Sequence, residues 1–209
     1  MATKKKDSGR RPDGFLAKGN ARYDRHDPFY RQAKKEGFAA RSIYKLEELD
    51  EELHLLKPND RVLDLGTAPG SWMQYVDRKL KNGSAVGIDL LPVKISFSAK
   101  VTVIRGDAFE EKLEERGPFD VVLSDMAPNT TGIRAVDTAR SLALCERALE
   151  VAQRTLQKGG RFCVKMFEGG DTKSFIEACK GVFATVRVKR PKSTRSSSTE
   201  TYIIGLDRL

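Results

Sequence analysis

The fold is decided by the stretch Arg61-Val62-Leu63-Asp64-Leu65-Gly66-Thr67-Ala68-Pro69-Gly70-Ser71-Trp72. It opens with a short apolar run that carries a carboxylate, and a turn bounded by two glycines then leads into a helix-like pattern. Gly66 and Gly70 let the backbone approach a ligand without an intervening Cβ, and Pro69 stiffens the turn. This order is typical of a buried parallel strand that passes into a helix and leaves a pocket at its carboxyl end.

The spacing of the two glycines bears on the class of ligand. A dinucleotide site has the pattern Gly-x-Gly-x-x-Gly, with backbone amides directed at a pyrophosphate. Here the pattern is Gly-x-x-x-Gly, and Pro69 has no amide hydrogen to donate. The loop therefore favours a nucleoside that carries a neutral or positive group, of which S-adenosylmethionine is the common one. A strand-to-helix turn without a ligand remains the alternative at this point.

The charge of this 209-residue chain is unevenly distributed. The length fits one domain, which we assign to residues 28–209, preceded by a basic tail over residues 1–27 that we expect to be mobile. Of the net charge of +9, residues 1–45 contribute +8, residues 178–199 contribute +6, and residues 46–177 carry about −4. An acidic body between two basic segments favours a core whose edges bind a polyanion. For residues 1–20, the simpler interpretation is a disordered tail whose charges keep the chain soluble.

Several function classes are disfavoured by composition. Cys145, Cys163 and Cys179 are far apart in apolar surroundings, which predicts reduced core residues of a cytoplasmic protein without disulfides. His26 and His54 are isolated, so we expect no metal site. No apolar run approaches membrane length, and the first 25 residues lack the apolar centre of a secretory signal, so we expect no membrane partner.

Apolar periodicity predicts alternating strands and helices after residue 60. The predicted strands are 61–65, 84–89, 101–106, 119–124, 160–167, 183–190 and 200–206. The predicted helices are 70–81, 108–115, 136–157 and 172–181, with two more before the first strand, one after Asp27-Pro28 and one over 42–53. The alternation predicts an α/β fold with a mostly parallel sheet and helices on both faces. Residues 191–199 are too few for a crossover helix, so the last two strands should form an antiparallel hairpin at one edge.

Three acidic residues follow or end the first three strands. Asp64 is near the end of the first, and Asp89 ends the second, about twenty residues beyond the glycine loop, where a carboxylate can accept hydrogen bonds from ribose hydroxyls. Asp107 ends the third and is placed to accept a hydrogen bond from an adenine amino group. Each alone is more simply a helix cap or a surface carboxylate. The three together indicate a nucleoside site.

The fourth predicted strand leads into Ser124-Asp125-Met126-Ala127-Pro128-Asn129. An amine methyltransferase acting on a base has an aromatic residue after a comparable Asp/Asn-Pro-Pro motif, and a cytosine-C5 enzyme needs a cysteine nucleophile; neither is present. The fifth predicted strand carries Lys165 inside an apolar run. A buried lysine is normally paired or has a lowered pKa, whereas a lysine at a sheet edge extends to solvent. Its position beside the Asp125 strand favours a functional role.

Taken together, these motifs resemble the FtsJ-type ribose 2′-O-methyltransferases over roughly residues 28–206. The motifs that carry the resemblance are Arg41–Leu46, Asp64–Trp72, Ser124–Asn129, Val164-Lys165 and Ser198–Tyr202. The resemblance implies a Rossmann-like S-adenosylmethionine-dependent methyltransferase fold. It matches the family's Lys-Asp-Lys-Glu tetrad to Lys45, Asp125, Lys165 and Glu200, and its cofactor-binding positions to Gly70, Trp72, Asp89, Asp107 and Asp125. Ser71 and Glu168 depart from a common Gly and a common Gln.

The resemblance is strongest to family members that methylate a uridine of 23S ribosomal RNA, which implies ribosomal RNA of the large subunit as partner. It also implies a monomeric enzyme that needs no metal. A ribose hydroxyl is a weak acid that must attack the sulfonium methyl in line. A lysine near a second cation, as we expect of Lys165 near Lys45, can accept or steer its proton. Asp125 can hold Lys165, and Glu200 can hold Lys45.

Basic clusters precede two members of the tetrad and suggest contacts to RNA phosphates. They are Arg31, Lys34, Lys35 and Arg41 before Lys45, and Arg187, Lys189, Arg190, Lys192 and Arg195 before Glu200. Phe29, Tyr30 and Phe38 are as compatible with core packing as with base stacking. Three alternatives stay open: a tRNA ribose methyltransferase, a ribosome-assembly RNA-binding protein with incidental methylation, and, least favoured, a nicotinamide dehydrogenase.

Overall fold

The computed structural model describes residues 27–209, so the tail expected over residues 1–27 lies outside the described residues except for Asp27. This part of the chain contains α1 (Pro28–Lys35), α2 (Ile43–Leu53), α3 (Ser71–Lys79), α4 (Arg134–Thr155) and α5 (Thr172–Lys180). The strands are β1 (Arg61–Leu65), β2 (Ser84–Asp89), β3 (Val101–Arg105), β4 (Phe119–Ser124), β5 (Leu156–Phe167), β6 (Phe183–Lys189) and β7 (Glu200–Arg208). Asp27 caps α1 by accepting hydrogen bonds from the amides of Phe29 and Tyr30.

The strands form one seven-stranded sheet in the order β3-β2-β1-β4-β5-β7-β6. All neighbouring pairs from β3 to β5 are parallel, and β7 is antiparallel to both β5 and β6. The strand order reverses between β1 and β4, which is the place where open α/β sheets bind ligands. This architecture confirms the predicted fold class, and the predicted hairpin of β6 and β7 is present, with β7 inserted between β5 and β6.

Each face of the sheet is covered by its own apolar layer. One layer packs α4 and α5 against side chains such as Leu63, Val122 and Phe162. The other packs α2 and α3 against side chains such as Val62 and Cys163. Because side chains alternate between faces along a strand, Lys165 shares the α2–α3 face with Cys163.

The predicted helix over 108–115 is wrong. Residues 107–111 form a turn in which the Asp107 carboxylate accepts a hydrogen bond from the Phe109 amide, and a single 3₁₀ turn follows at Leu113–Arg116. The turn competes with helix formation because an Asp side chain offers the backbone a local partner. Gly117-Pro118 then ends the segment, and Leu113 is the buried residue of the 3₁₀ turn. Strand β5 begins earlier than predicted, at Leu156, and is irregular before Arg161.

Candidate active site

The carboxyl ends of β1 to β5 meet at one edge of the sheet, where two predicted acids line a cavity. The Asp89 carboxylate accepts hydrogen bonds from the amides of Ala68, at 2.8 Å, and Leu91, at 2.8 Å, so it is fixed against the glycine loop. Asp107 is fixed by its own turn. The cavity has a volume of about 210 Å³ and is lined by Gly66, Ile88, Asp89, Leu90, Gly106, Asp107, Ala108, Phe109, Met126, Ala127 and Leu144. Two carboxylates on an otherwise apolar wall suit a nucleoside.

Asp64 is the third predicted acid, and it lies beneath this edge. Its side chain is fully buried, and neither carboxylate oxygen has a hydrogen-bond partner within residues 27–209. The nearby Thr67 hydroxyl donates to the Asp64 main-chain carbonyl. Burial, reinforced by the charges of Asp125 and Asp89, raises the pKa of Asp64 to about 7. An unpartnered buried carboxylate beside a ligand cavity is a natural partner for a cationic group.

The glycine loop follows Asp64 and is held in a conformation that requires glycine. Gly66 and Gly70 have φ of 84° and 114°, and a Cβ at Gly66 would come within 2.8 Å of Met126. The predicted cofactor position Trp72 is buried, and its indole Nε1 donates to the Ser42 carbonyl at 2.9 Å. Neither Gly70 nor Trp72 lines the 210 Å³ cavity. The loop thus connects the acid-lined cavity to the residue that precedes α2.

Lys165 and Asp125 form one of two lysine–carboxylate pairs next to the cavity. The Lys165 ammonium is 3.0 Å from Asp125 Oδ1 and donates to the Asp125 carbonyl at 2.6 Å. Lys165 is only 7% exposed, and β5 lies between β4 and β7 in the sheet. Lys165 therefore does not extend to solvent from the edge of the sheet.

Lys45 and Glu200 form the second pair, which joins α2 to the first residue of β7. Glu200 reaches this edge because β7 is antiparallel to β5, which places its amino end beside the carboxyl end of β5, with Glu200 opposite Phe167. Neither side chain of the pair is more than 22% exposed, so Lys45 does not lie on a solvated helix face. The structure thus brings together all four residues matched to the tetrad.

Tyr202 lies between the two pairs and was not assigned a role by its sequence context. It is opposite Lys165 in the β5–β7 register, is fully buried, and donates its hydroxyl to Asp125 Oδ1 at 3.1 Å. The Lys45 ammonium is 5.9 Å from the centre of its ring. Burial raises the pKa of Tyr202, so the phenol remains a hydrogen-bond donor. A signal for it existed in the sequence, since residues two apart on a strand share a face and Glu200 is two residues away.

Comparison with known proteins assigns the chain to a family. Residues 38–208 match the model of the FtsJ-like methyltransferases. The chain belongs to the FtsJ-like methyltransferase family. It is 45% identical over 190 residues to ribosomal RNA large subunit methyltransferase E of Syntrophobacter fumaroxidans, which covers 88% of this chain and 96% of the relative. The protein of the same name from Bdellovibrio bacteriovorus is 44% identical over 193 residues, covering 89% and 98%.

A solved FtsJ-like structure agrees with the fold. The crystal structure described as a ribosomal RNA methyltransferase of Plasmodium falciparum superposes with a TM-score of 0.72 and 29% sequence identity. The match covers 82% of this chain and 99% of that one. The resemblance seen in the sequence motifs is thereby confirmed, and the chain is a methyltransferase.

A second, basic cavity of this FtsJ-like chain opens beside Lys45 and Glu200. It has a volume of about 290 Å³ and is lined by Arg41, Ser42, Lys45, Arg195, Ser197, Ser198 and Glu200. Arg41 and Arg195 both contact the Asp27 carboxylate. Burial and the neighbouring charge of Arg195 lower the pKa of Arg41. Three basic side chains and three hydroxyls around one cavity suit a phosphate-bearing ligand.

Two of the three aromatic residues around the first helix, Phe29 and Phe38, pack against the core. Phe29 and Phe38 pack against Tyr44, with ring centres 5.6 and 6.3 Å apart, and both are partly buried against the α2–α3 layer. This supports core packing for Phe29 and Phe38. Within residues 27–209 the FtsJ-like fold has no group of three or more potential metal-ligating side chains and no helix long and apolar enough to cross a membrane.

Proposed function

We propose that this chain is an S-adenosylmethionine-dependent RNA methyltransferase that transfers a methyl group to a ribose 2′-hydroxyl. The proposed substrate is a uridine of 23S ribosomal RNA in the large subunit, and the proposed location is the cytoplasm. The observation that carries the proposal is the pair of lysine–carboxylate contacts, Lys165–Asp125 and Lys45–Glu200, at the border between an acid-lined cavity and a basic one. A donor on one side and an RNA strand on the other meet at these four residues.

The residues at the acid-lined cavity fit S-adenosylmethionine. We assign Asp89 to the ribose hydroxyls and Asp107 to the adenine amino group, and both line the cavity. The unpartnered Asp64 carboxylate supports a cationic ligand group next to the glycine loop. Gly70, Trp72 and Asp125 complete the proposed set; Gly70 and Trp72 are in the loop and the first turn of α3, and their contribution would come from the backbone. When bound, the cofactor supplies an electrophilic methyl group on a sulfonium.

The remaining steps belong to side chains of this chain. Lys165 donates one hydrogen bond to the Asp125 carbonyl and is paired with the Asp125 carboxylate, and an ammonium has three donors, so it can also contact the acceptor hydroxyl. We infer that Lys165 orients this hydroxyl and guides its proton, while Asp125 and Tyr202 keep the amine in place. Lys45, held by Glu200, supplies the second cation and borders the basic cavity where the RNA strand would lie.

The names of the relatives support ribosomal RNA over tRNA as substrate. Two relatives at 44–45% identity and nearly full coverage are both called ribosomal RNA large subunit methyltransferase E. The basic cavity fits either kind of RNA, because phosphate contacts position a strand without reading its sequence.

The proposal is tested with labelled S-adenosylmethionine and three acceptors: free 23S rRNA, isolated large subunits and tRNA. Wild type should label ribosomal RNA, and the methylated nucleotide is located by resistance to alkaline cleavage. Lys165→Ala should lose about a hundredfold or more of the rate, in the range expected for a group that handles the transferred proton. Lys158→Ala is the matched control, because Lys158 is an exposed lysine on the same strand.

The outcomes separate the candidate functions. Full labelling by Lys165→Ala would refute the role given to Lys165. Labelling of tRNA alone would favour the tRNA methyltransferase, and binding of ribosomal RNA without labelling of any acceptor would favour an assembly protein.

A further inference from the structure

Residues 190–199 connect β6 to β7 and carry three lining residues of the basic cavity. These are Arg195, Ser197 and Ser198, and Glu200 follows at the first position of β7. Few backbone hydrogen bonds lie within the connection: Thr194 to Pro191, and Ser198 to Arg195. A third backbone bond holds the end of the connection, from the Glu168 amide to the Thr199 carbonyl. The shape of the remaining part therefore depends on side chains that bind its backbone.

We propose that Arg190 is a positioning residue that fixes the second half of this connection, and with it the RNA-facing side of the site. The inference rests on the proposed RNA methyltransferase function. The Arg190 guanidinium donates to three main-chain carbonyls: that of Glu200 at 2.9 Å, that of Arg195 at 3.2 Å and that of Ser198. One side chain thus joins the end of β6 to three points of the segment that leads into Glu200.

These contacts change the role that the sequence suggested for Arg190. A basic residue in a basic cluster was expected to bind an RNA phosphate directly. Both terminal nitrogens of Arg190 are instead directed at the backbone of its own chain. A planar guanidinium can bind several carbonyls at fixed angles, whereas a lysine ammonium is a single point with flexible geometry. The role therefore requires arginine, and positive charge alone does not fulfil it.

The first half of the connection is held independently. The Glu48 carboxylate on α2 accepts hydrogen bonds from the amides of Lys192, at 2.6 Å, and Ser193, at 2.9 Å. The Arg41 guanidinium donates to the Ser193 carbonyl. Removing the Arg190 side chain should therefore release residues 195–198, while residues 192–193 stay on α2 and Glu200 stays paired with β5.

The direct test is hydrogen–deuterium exchange of the full chain, followed by mass spectrometry. Arg190→Ala and Arg190→Lys should both increase exchange in peptides covering residues 195–200, with no change in peptides from β4 and β5. Arg116→Ala and Arg116→Lys are matched controls. Arg116 is exposed, and its carbonyl accepts a hydrogen bond from Arg61 at the amino end of β1, whereas the site lies at the carboxyl ends of the strands. Wild-type exchange in Arg190→Lys would overturn the proposal, because charge alone would then be sufficient.

Kinetics distinguish positioning from general loss of structure. We expect kcat with RNA to fall about ten- to a hundredfold in both Arg190 variants, as for a small displacement of reacting groups, with the KM for S-adenosylmethionine unchanged. If Arg190 binds a phosphate instead, Arg190→Lys should retain most of the RNA affinity and kcat, and this result would also overturn the proposal. The exchange measurement needs no methylation. Absence of labelling by wild type would therefore refute the proposed function and leave the loop result intact.

Discussion

A single buried carboxylate illustrates how a binding site is kept at the expense of stability. Asp64 has no hydrogen-bond partner in the described part of the chain, although it is fully buried beside the glycine loop. An apolar or amide side chain there would avoid the cost of burying a charge. Its raised pKa indicates that this cost is incurred whenever Asp64 is ionised in the absence of a cationic ligand.

Asp64→Asn should therefore change how stability depends on pH. The pKa of Asp64 is about 7 in the folded chain, against an ordinary value of 3.8, so the folded state binds the proton more tightly than the unfolded state. The free energy of unfolding should fall as pH rises from about 4 to about 7, by roughly 4 kcal/mol at most, and this contribution should be absent from Asp64→Asn. Urea denaturation without methyl donor, between about pH 5 and pH 8, measures the difference.

Asp207→Asn is the control for this measurement, because Asp207 is exposed near the end of β7. It should follow the wild-type pH profile. Parallel profiles for wild type and Asp64→Asn would show that Asp64 does not titrate in this range. In addition, S-adenosylmethionine should stabilise wild type more than Asp64→Asn, because the asparagine cannot pair with a cation.

At the scale of elements, the first turn of α3 contacts Ser42, the residue before α2. The Ser71 and Ser42 hydroxyls are 2.8 Å apart, and the Trp72 indole donates to the Ser42 carbonyl. Ser42 is three residues before Lys45, so these contacts connect the glycine loop to one member of the tetrad. Ser71 is thus buried and partnered.

The serine pair makes a prediction about coupling between α2 and α3. Ser71→Ala leaves the Ser42 hydroxyl without its partner and should reduce the free energy of unfolding by about 1–2 kcal/mol. Ser42→Ala should have a similar effect, whereas the double variant should lose clearly less than the sum, because no unpaired hydroxyl remains. Urea denaturation of the three variants gives the coupling energy. Strictly additive losses would mean that the two hydroxyls do not interact.

Most elements could be predicted from the sequence because each central strand is a short apolar run that ends at a turn. The segment 108–115 could not, because the local bond from the Phe109 amide to Asp107 outweighs its helical pattern. The contact between Asp125 and Lys165 could be predicted, because the sequence places them at the ends of neighbouring strands. Lys45 and Glu200 are 155 positions apart and were linked only by the family resemblance. The contacts of Arg190 could not be predicted, since binding to main-chain carbonyls leaves no residue pattern.

At the scale of the whole molecule, residues 27–45 of the first basic segment meet the connection between β6 and β7 on one side of the fold. The connection between β6 and β7 is bound to the first two helices through Arg41 and Glu48, and Arg195 contacts the cap of α1. The segments are separated by more than a hundred residues of net negative charge in the sequence. Their juxtaposition places Arg41, Lys45 and Arg195 around the basic cavity, whereas the acid-lined cavity is lined by a different set of residues.

This arrangement predicts that phosphate binding and donor binding can be altered separately. Lys34 is exposed in the last turn of α1, within the first basic cluster, and it does not line the acid-lined cavity. Lys34→Ala should weaken binding of a 23S rRNA fragment and reduce the slope of log affinity against log salt by about 0.7–0.9, the value for one lost phosphate contact. Fluorescence anisotropy between about 50 and 200 mM salt measures this slope. Calorimetry measures S-adenosylmethionine binding, which should not change.

The control is Lys81→Ala, since Lys81 is an exposed lysine beyond α3, and this variant should leave both properties as in wild type. An equal loss of donor affinity in Lys34→Ala, or an unchanged salt slope, would show that α1 does not contact the RNA backbone independently of the cofactor site.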